Sequence, residues 1–253
     1  LGNAWPAKEA MTAITPTAPV RIIPRRSIFT EGIFLFPIIN SRYESHNIAY
    51  ALSLAKKYGD VWKELDSHNP VAIAKPPKAA VAAAENEFGP VRAAVSVAGH
   101  YEMFPLCDVT IERWERMLNV HLGGLFNLTR AVLPSMLEHG TGSLVAVTSE
   151  LAVGGGGDDS HYAAAKGSLI GFIRSLAPEV ALSGVRVNAV APGPTDTPLL
   201  EAESPWRAQD YLDTLPGRGL VTPDQIALCV AYLVDEGGFC TGEILNVNAG
   251  AVI

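Results

Sequence analysis

Apolar residues in this chain fall in short blocks that alternate with longer amphipathic stretches. Residues 33–39 form an apolar run with β-branched and aromatic side chains, the composition of a strand covered on both faces of a parallel sheet. After a polar loop at 40–47, residues 48–58 place Ile48, Leu52 and Ala55 on one side of a helix that Gly59 ends. Short strands are predicted at 60–65 and 71–74. An alanine-rich helix over 78–88, stopped by Gly89-Pro90, leads into a strand at 91–97. Then come a helix through 114–139, a strand at 143–148, a glycine-rich loop at 154–157, a helix at 162–182 and a strand at 185–191. A helix at 223–235 and a strand at 244–247 close the pattern. Strands alternating with helices require right-handed crossovers, so the fold class is α/β, a doubly wound parallel sheet in a single domain over residues 31–253. Residues 1–30 lack a sustained period and carry Pro6, Pro16, Pro19 and Pro24, and are expected to form an extended arm.

Composition narrows the function classes. At 253 residues, 48% of them hydrophobic, the chain can bury one sizeable core. Nineteen basic against 26 acidic side chains give a formal charge of −7, which offers no attraction for nucleic acid or an anionic membrane surface. Cys107, Cys229 and Cys240 are too few and too widely spaced for a disulfide framework or a zinc site, and are expected to be buried or half-buried thiols of a cytoplasmic protein. No metal is expected. Arg21, Arg25 and Arg26 before the apolar stretch faintly imitate a secretory leader, but Thr30, Glu31, Gly32 and Pro37 interrupt the run. No apolar run reaches the ~18 residues of a membrane helix.

The chemistry gathers near the middle. Ser149 closes the strand Leu-Val-Ala-Val-Thr-Ser, and Tyr162 and Lys166 belong to Tyr-Ala-Ala-Ala-Lys. Four residues apart on a helix, Tyr162 and Lys166 project from one face. An ammonium near a phenol favours the phenolate and makes tyrosine a usable general acid/base. A serine hydroxyl beside it can hold a carbonyl or alcohol oxygen. The trio suits hydride transfer, with tyrosine moving the proton and a nicotinamide moving the hydride.

From Phe88 to its end the chain resembles the short-chain dehydrogenase/reductase family, which has a Rossmann-like fold. Ser149, thirteen residues before Tyr162, matches the family's catalytic serine, and Asn119 in Asn-Val-His-Leu-Gly matches the asparagine that completes its proton relay. The segment at 187–198, Val-Asn-Ala-Val-Ala-Pro-Gly-Pro-Thr-Asp-Thr-Pro, is similar to the loop beside the nicotinamide, where Pro192, Gly193, Thr195 and Thr197 would contact the cofactor. Residues 241–250 resemble the C-terminal strand. The resemblance implies catalytic Ser149, Tyr162, Lys166 and Asn119, with Tyr162 and Lys166 also touching the cofactor. Ala98 and Gly99 stand in the family's Asn-Asn-Ala-Gly. His100 and Tyr101 follow at the substrate mouth, and Leu199, Leu200, Pro205 and Trp206 suggest an apolar lid over a hydrophobic small-molecule substrate. Glu150 and His161, as sequence neighbours of the active residues, are expected to point elsewhere.

The adenosine half departs from the family. The motif T-G-x-x-x-G-x-G is absent; a gapless placement puts Asn40 at the threonine position and Ser41, Ser45 and Asn47 at the three glycine positions. Ser41 and Asn47 would then hold the nucleotide. An alternative places residues 27–34 on the motif, but Pro-Arg-Arg at 24–26 makes a poor central strand. Glu64 and Asp66 flank the place of the ribose reader, and no basic pair awaits a 2′-phosphate, so NAD is the cofactor implied. The expected activity is an NAD-dependent oxidoreductase interconverting an alcohol and a carbonyl, in a homo-oligomer, dimer or tetramer. Two alternatives remain open: a cofactor-independent lyase or dehalogenase-like enzyme on the same fold, whose relatives carry arginine where Lys166 stands, and a non-catalytic family member.

Overall fold

A computed structural model describes residues 89–197, 199–200 and 202–252, helical backbone at 81–82 and 85–86, and the backbone of two strands near the N-terminus. The predicted elements at 48–58, 60–65 and 71–74 lie outside the described residues, as do Ser41 and Asn47. Six described strands form one sheet, ordered as numbered: β1 (Ile28–Thr30), β2 (Ile33–Pro37), β3 (Val91–Ser96), β4 (Gly142–Val147), β5 (Val185–Pro192) and β6 (Ile244–Val247).

Strands β3 to β6 are parallel. Their residues alternate between two apolar layers, because successive side chains point to opposite faces of a sheet. Ala94, Leu144 and Val187 join Leu128, Val132, Ile173 and Leu176 of the helices α2 (Gly124–Glu138) and α3 (Ser160–Val180). Val95, Val145 and Val190 meet Ile226, Val230 and Ala231 of α4 (Pro223–Val234) on the other face. Each fully buried Leu or Ile here stabilises by about 1.5–3 kcal/mol. The Arg186 guanidinium donates to the carbonyls of Leu233, Val234 and Gly237 at 2.6–2.9 Å, satisfying the open C-terminal end of α4.

Three features differ from the sequence-based expectation. The run at 33–39 does form a strand, but β2 lies antiparallel to β3, with Ile33 beside Ser96 and Pro37 beside Val91. Only two residues separate β1 from β2, and such a short link joins antiparallel neighbours. The chain therefore leaves β2 at the edge where β3 begins, opposite the edge that carries Ser149. The helix expected through 114–139 is α1 (Ile111–Leu118) and α2, with a π-helical turn, Asn119–Gly123, between them. A wider turn of this kind locally rotates the side chains that follow it, and it recurs at functional sites. Cys107 is exposed rather than half-buried.

Candidate active site

Strand β4 ends at Val147, so Thr148, Ser149 and Glu150 emerge at the carboxyl edge of the parallel strands, where α/β sheets bind ligands. The N–H groups of Thr148 and Glu150 donate to the carbonyls of Val190 and Pro192 at 2.8 and 3.0 Å, which fixes Ser149 between them. Thr148 Oγ1 donates to the carbonyl of Lys166 at 2.8 Å, tying this corner to α3. Lys166 Nζ returns 2.8 Å to the carbonyl of Val147 and lies 5.8 Å from the centre of the Tyr162 ring. Ser149, Tyr162 and Lys166 are all buried and brought together. Their electrostatics differ from the simple pair read in the sequence. Burial raises the Tyr162 phenol above its ordinary range, and its hydrogen bond with Ser149 only partly offsets this. Burial also lowers the Lys166 ammonium to about 7. A lysine drawn towards its neutral form gives the phenol little charge to lean on.

Asn119 is not brought to this cluster. It lies exposed on the π turn, while His121, two residues on, is 2% exposed and meets Tyr162 edge-on with ring centres 5.6 Å apart. His121 stacks on His100, and its Nε2 is 3.0 Å from the His100 carbonyl. Burial first, and Lys166 second, lower its pKa to about 2, so the ring is a neutral imidazole. Its Nδ1 is buried without a partner.

The loops expected around a nicotinamide share this edge. Ala98 and Gly99 follow β3, and a Cβ on Gly99 would stand 2.4 Å from His121 Cε1. Pro192 ends β5, Gly193 N–H donates to the Val247 carbonyl at 2.9 Å, and the Thr195 hydroxyl donates to the Gly193 carbonyl at 2.8 Å. Thr197 N–H turns back to the Thr195 carbonyl at 2.8 Å. Of the residues expected in a lid, Trp206 turns inward and its Nε1–H donates to the Tyr101 hydroxyl at 3.3 Å, whereas Leu199 is exposed. Arg207 holds the segment, bonding the Leu200 carbonyl and pairing with Asp196 at 3.0 Å.

A family profile described as "Enoyl-(Acyl carrier protein) reductase" matches residues 45–252. The chain belongs to the short-chain dehydrogenase/reductase family. It is 37% identical over 174 residues to nodulation protein G of Azospirillum brasilense, a stretch covering 68% of this chain and 71% of that one. It is 38% identical over 165 residues to the 3-oxoacyl-(acyl-carrier-protein) reductase FabG of Escherichia coli, covering 65% and 68% of the two chains. The uncharacterized oxidoreductase YmfI of Bacillus subtilis is 36% identical over 162 residues, 64% and 67% of the two. This is thus an oxidoreductase of a family that uses a nicotinamide cofactor and acts on small molecules. Among the described residues no helix is long and apolar enough to cross a membrane.

On this short-chain dehydrogenase/reductase frame the structure adds residues that the sequence reading set aside. Glu150 is 5% exposed, with Oε2 buried and unpartnered. Burial, helped by Asp159, pushes its carboxyl up to about 8. Asp159 is fully buried, accepts a hydrogen bond from the Tyr101 hydroxyl at 3.4 Å, and leaves Oδ1 unpartnered. Strand alternation misled the reading of Glu150 because its backbone has already turned helical, at φ −60° and ψ −30°. The side chain lies against Gly193 instead of facing away.

Proposed function

We propose that this protein interconverts an alcohol and a carbonyl by hydride transfer with NAD(H), with Tyr162 as the general acid/base. The observation that carries the reading is the buried contact of Ser149, Tyr162 and Lys166 at the carboxyl edge of the sheet. Lys166 suits a nicotinamide nucleotide. Among the described residues its ammonium has one hydrogen-bond acceptor, the Val147 carbonyl, and two donors remain for ribose hydroxyls. Tyr162, Ala98, Gly99 and the turn Pro192–Thr197 would complete the nicotinamide side. The nicotinamide supplies the hydride.

The chain's own residues do the rest. Ser149 orients the substrate oxygen towards Tyr162. The Tyr162 phenol gives its proton to that oxygen during reduction and takes it back during oxidation. His121 holds the Tyr162 ring in place. Trp206 and Tyr101 close over the site and limit water. Preference for NAD over its phosphorylated form rests on Glu64 and Asp66 and the absence of a basic pair near them. The exposed Ile111, Trp114, Phe126 and Leu137 on α1 and α2 favour a homodimer or tetramer built on these helices.

Titrating the purified chain with NADH and NADPH, followed by cofactor fluorescence and turnover on a ketone panel, tests the reading. Binding and reduction with NADH are expected. No binding of either nucleotide together with no turnover would refute it.

A further inference from the structure

Asp159 occupies the N-cap position of the 21-residue helix α3, yet its side chain makes no capping bond. A capping bond from such a residue is typically worth about 1 kcal/mol. The carboxylate is turned instead towards Tyr101, beneath Gly156, where a Cβ would fall within 2.7 Å of it. Glu150 lies within electrostatic reach of Asp159, with its Oε2 against Gly193. Asp159 helps burial raise the Glu150 carboxyl, burial raises Asp159 itself, and Glu150 acts on Tyr101, Tyr162 and Tyr211 as well. Both side chains are buried, and each has an oxygen without a hydrogen-bond partner among the described residues, so a cation held beside them would draw both carboxyls into the charged form.

The aromatic rings around them are a second, separate observation. Tyr101 meets Tyr162 edge-on at 4.8 Å, Trp206 meets Tyr211 edge-on at 4.9 Å, and Trp206 Nε1 bonds Tyr101. Tyr101, Trp206 and Tyr211 are half-buried, so the group opens to ligand. Aromatic faces combined with carboxylates bind ammonium groups through the ring quadrupole and the anionic charge together. We propose that Glu150, Asp159 and the rings of Tyr101, Tyr162, Trp206 and Tyr211 form a subsite for a cationic ammonium group of the substrate. This rests on the reading of the site as an alcohol/carbonyl oxidoreductase, and it names the substrate class: amino ketones or amino alcohols whose oxygen meets Ser149 and Tyr162.

Two measurements test it separately. The first compares kcat/KM for trimethylammonio-acetone and its uncharged carbon isostere, 4,4-dimethylpentan-2-one. The cationic ketone is expected to be preferred about tenfold or more, and the double variant Glu150→Gln/Asp159→Asn is expected to bring the ratio close to one. Reduction of both ketones by the parent chain without preference for the cation overturns the subsite and leaves the oxidoreductase reading standing. The second needs no turnover. Tetramethylammonium chloride is expected to raise the melting temperature of the full chain above that in sodium chloride of equal ionic strength, and to lose this effect in the double variant. No shift in the parent, or an equal shift in the variant, overturns the subsite. Failure of both ketones with both nucleotides, beside an intact tetramethylammonium shift, counts against the oxidoreductase reading and supports the subsite. The variant's circular dichroism spectrum confirms that it folds.

Discussion

Lys166 Nζ stands 5.8 Å from the centre of the Tyr162 ring while anchored 2.8 Å from the Val147 carbonyl. The strand end thus sets where the ammonium lies relative to the phenol. Tyr162 is buried with Ser149 close enough to act on its phenol, so its hydroxyl is a placed proton donor. Replacing it with phenylalanine removes the proton and little else. Tyr162→Phe is expected to lower kcat by roughly 10²–10⁴-fold, with thermal stability changed by only about 1 kcal/mol. Steady-state kinetics beside a thermal melt check this. A kcat within a few-fold of the parent would remove Tyr162 from proton transfer.

Glu150 gives a stability prediction with a defined pH window. Its carboxyl is raised from 4.5 to about 8 by burial. The folded chain therefore keeps a proton that the unfolded chain releases above pH 4.5, and stability falls as pH rises to about 8. His121, lowered to about 2, has the opposite slope up to pH 6.5, so the parent curve alone would mislead. Comparison with Glu150→Gln isolates the carboxyl. The variant is expected to gain on the parent steadily from pH 5 to 8, by a total on the order of 2 kcal/mol or more, and then to run level with it. Urea titrations across that range read the difference. A constant gap would show that Glu150 is already ionised in the folded protein.

Arg186 closes the end of α4 on three carbonyls, Leu233, Val234 and Gly237. Methionine in its place keeps the apolar stem and loses the donors. Arg186→Met is expected to cost about 1.5–3 kcal/mol and to speed hydrogen exchange across 231–237. Unchanged exchange there would mean that water replaces the guanidinium.

Periodicity made β3 to β6 and α3 readable, because each has a local apolar pattern that survives in the fold. The Tyr162–Lys166 pair was readable because residues four apart on a helix share a face. The direction of β2 was not, since an apolar run carries no mark of which partner it will meet or how. Asn119 shows a finer limit. Two residues along a helix turn a side chain by about 200°, so an assignment two positions off exchanges the buried His121 for an exposed asparagine. The raised Tyr162 phenol and the Glu150–Asp159 pair depend on burial by distant segments, including Tyr101 and Trp206, and no spacing in the sequence reports that.

His121 also explains why residue 99 is glycine. The Cβ of any other residue would lie 2.4 Å from His121 Cε1 and 2.9 Å from Nδ1. The ring has little room to yield: His100 stacks on it, Tyr162 abuts its edge, and Nε2 is held at the His100 carbonyl. Gly99→Ala is therefore expected to destabilise by about 1–3 kcal/mol, and to lower kcat more than it changes KM, because the displaced imidazole presses on Tyr162. Truncating the ring relieves the clash, so His121→Ala added to Gly99→Ala should cost less than the sum of the two singles, with a coupling of about 1 kcal/mol or more. Denaturant melts of the four proteins measure that coupling. Simple additivity would mean that the loop after β3 moves aside and that Gly99 is not there to make room for His121.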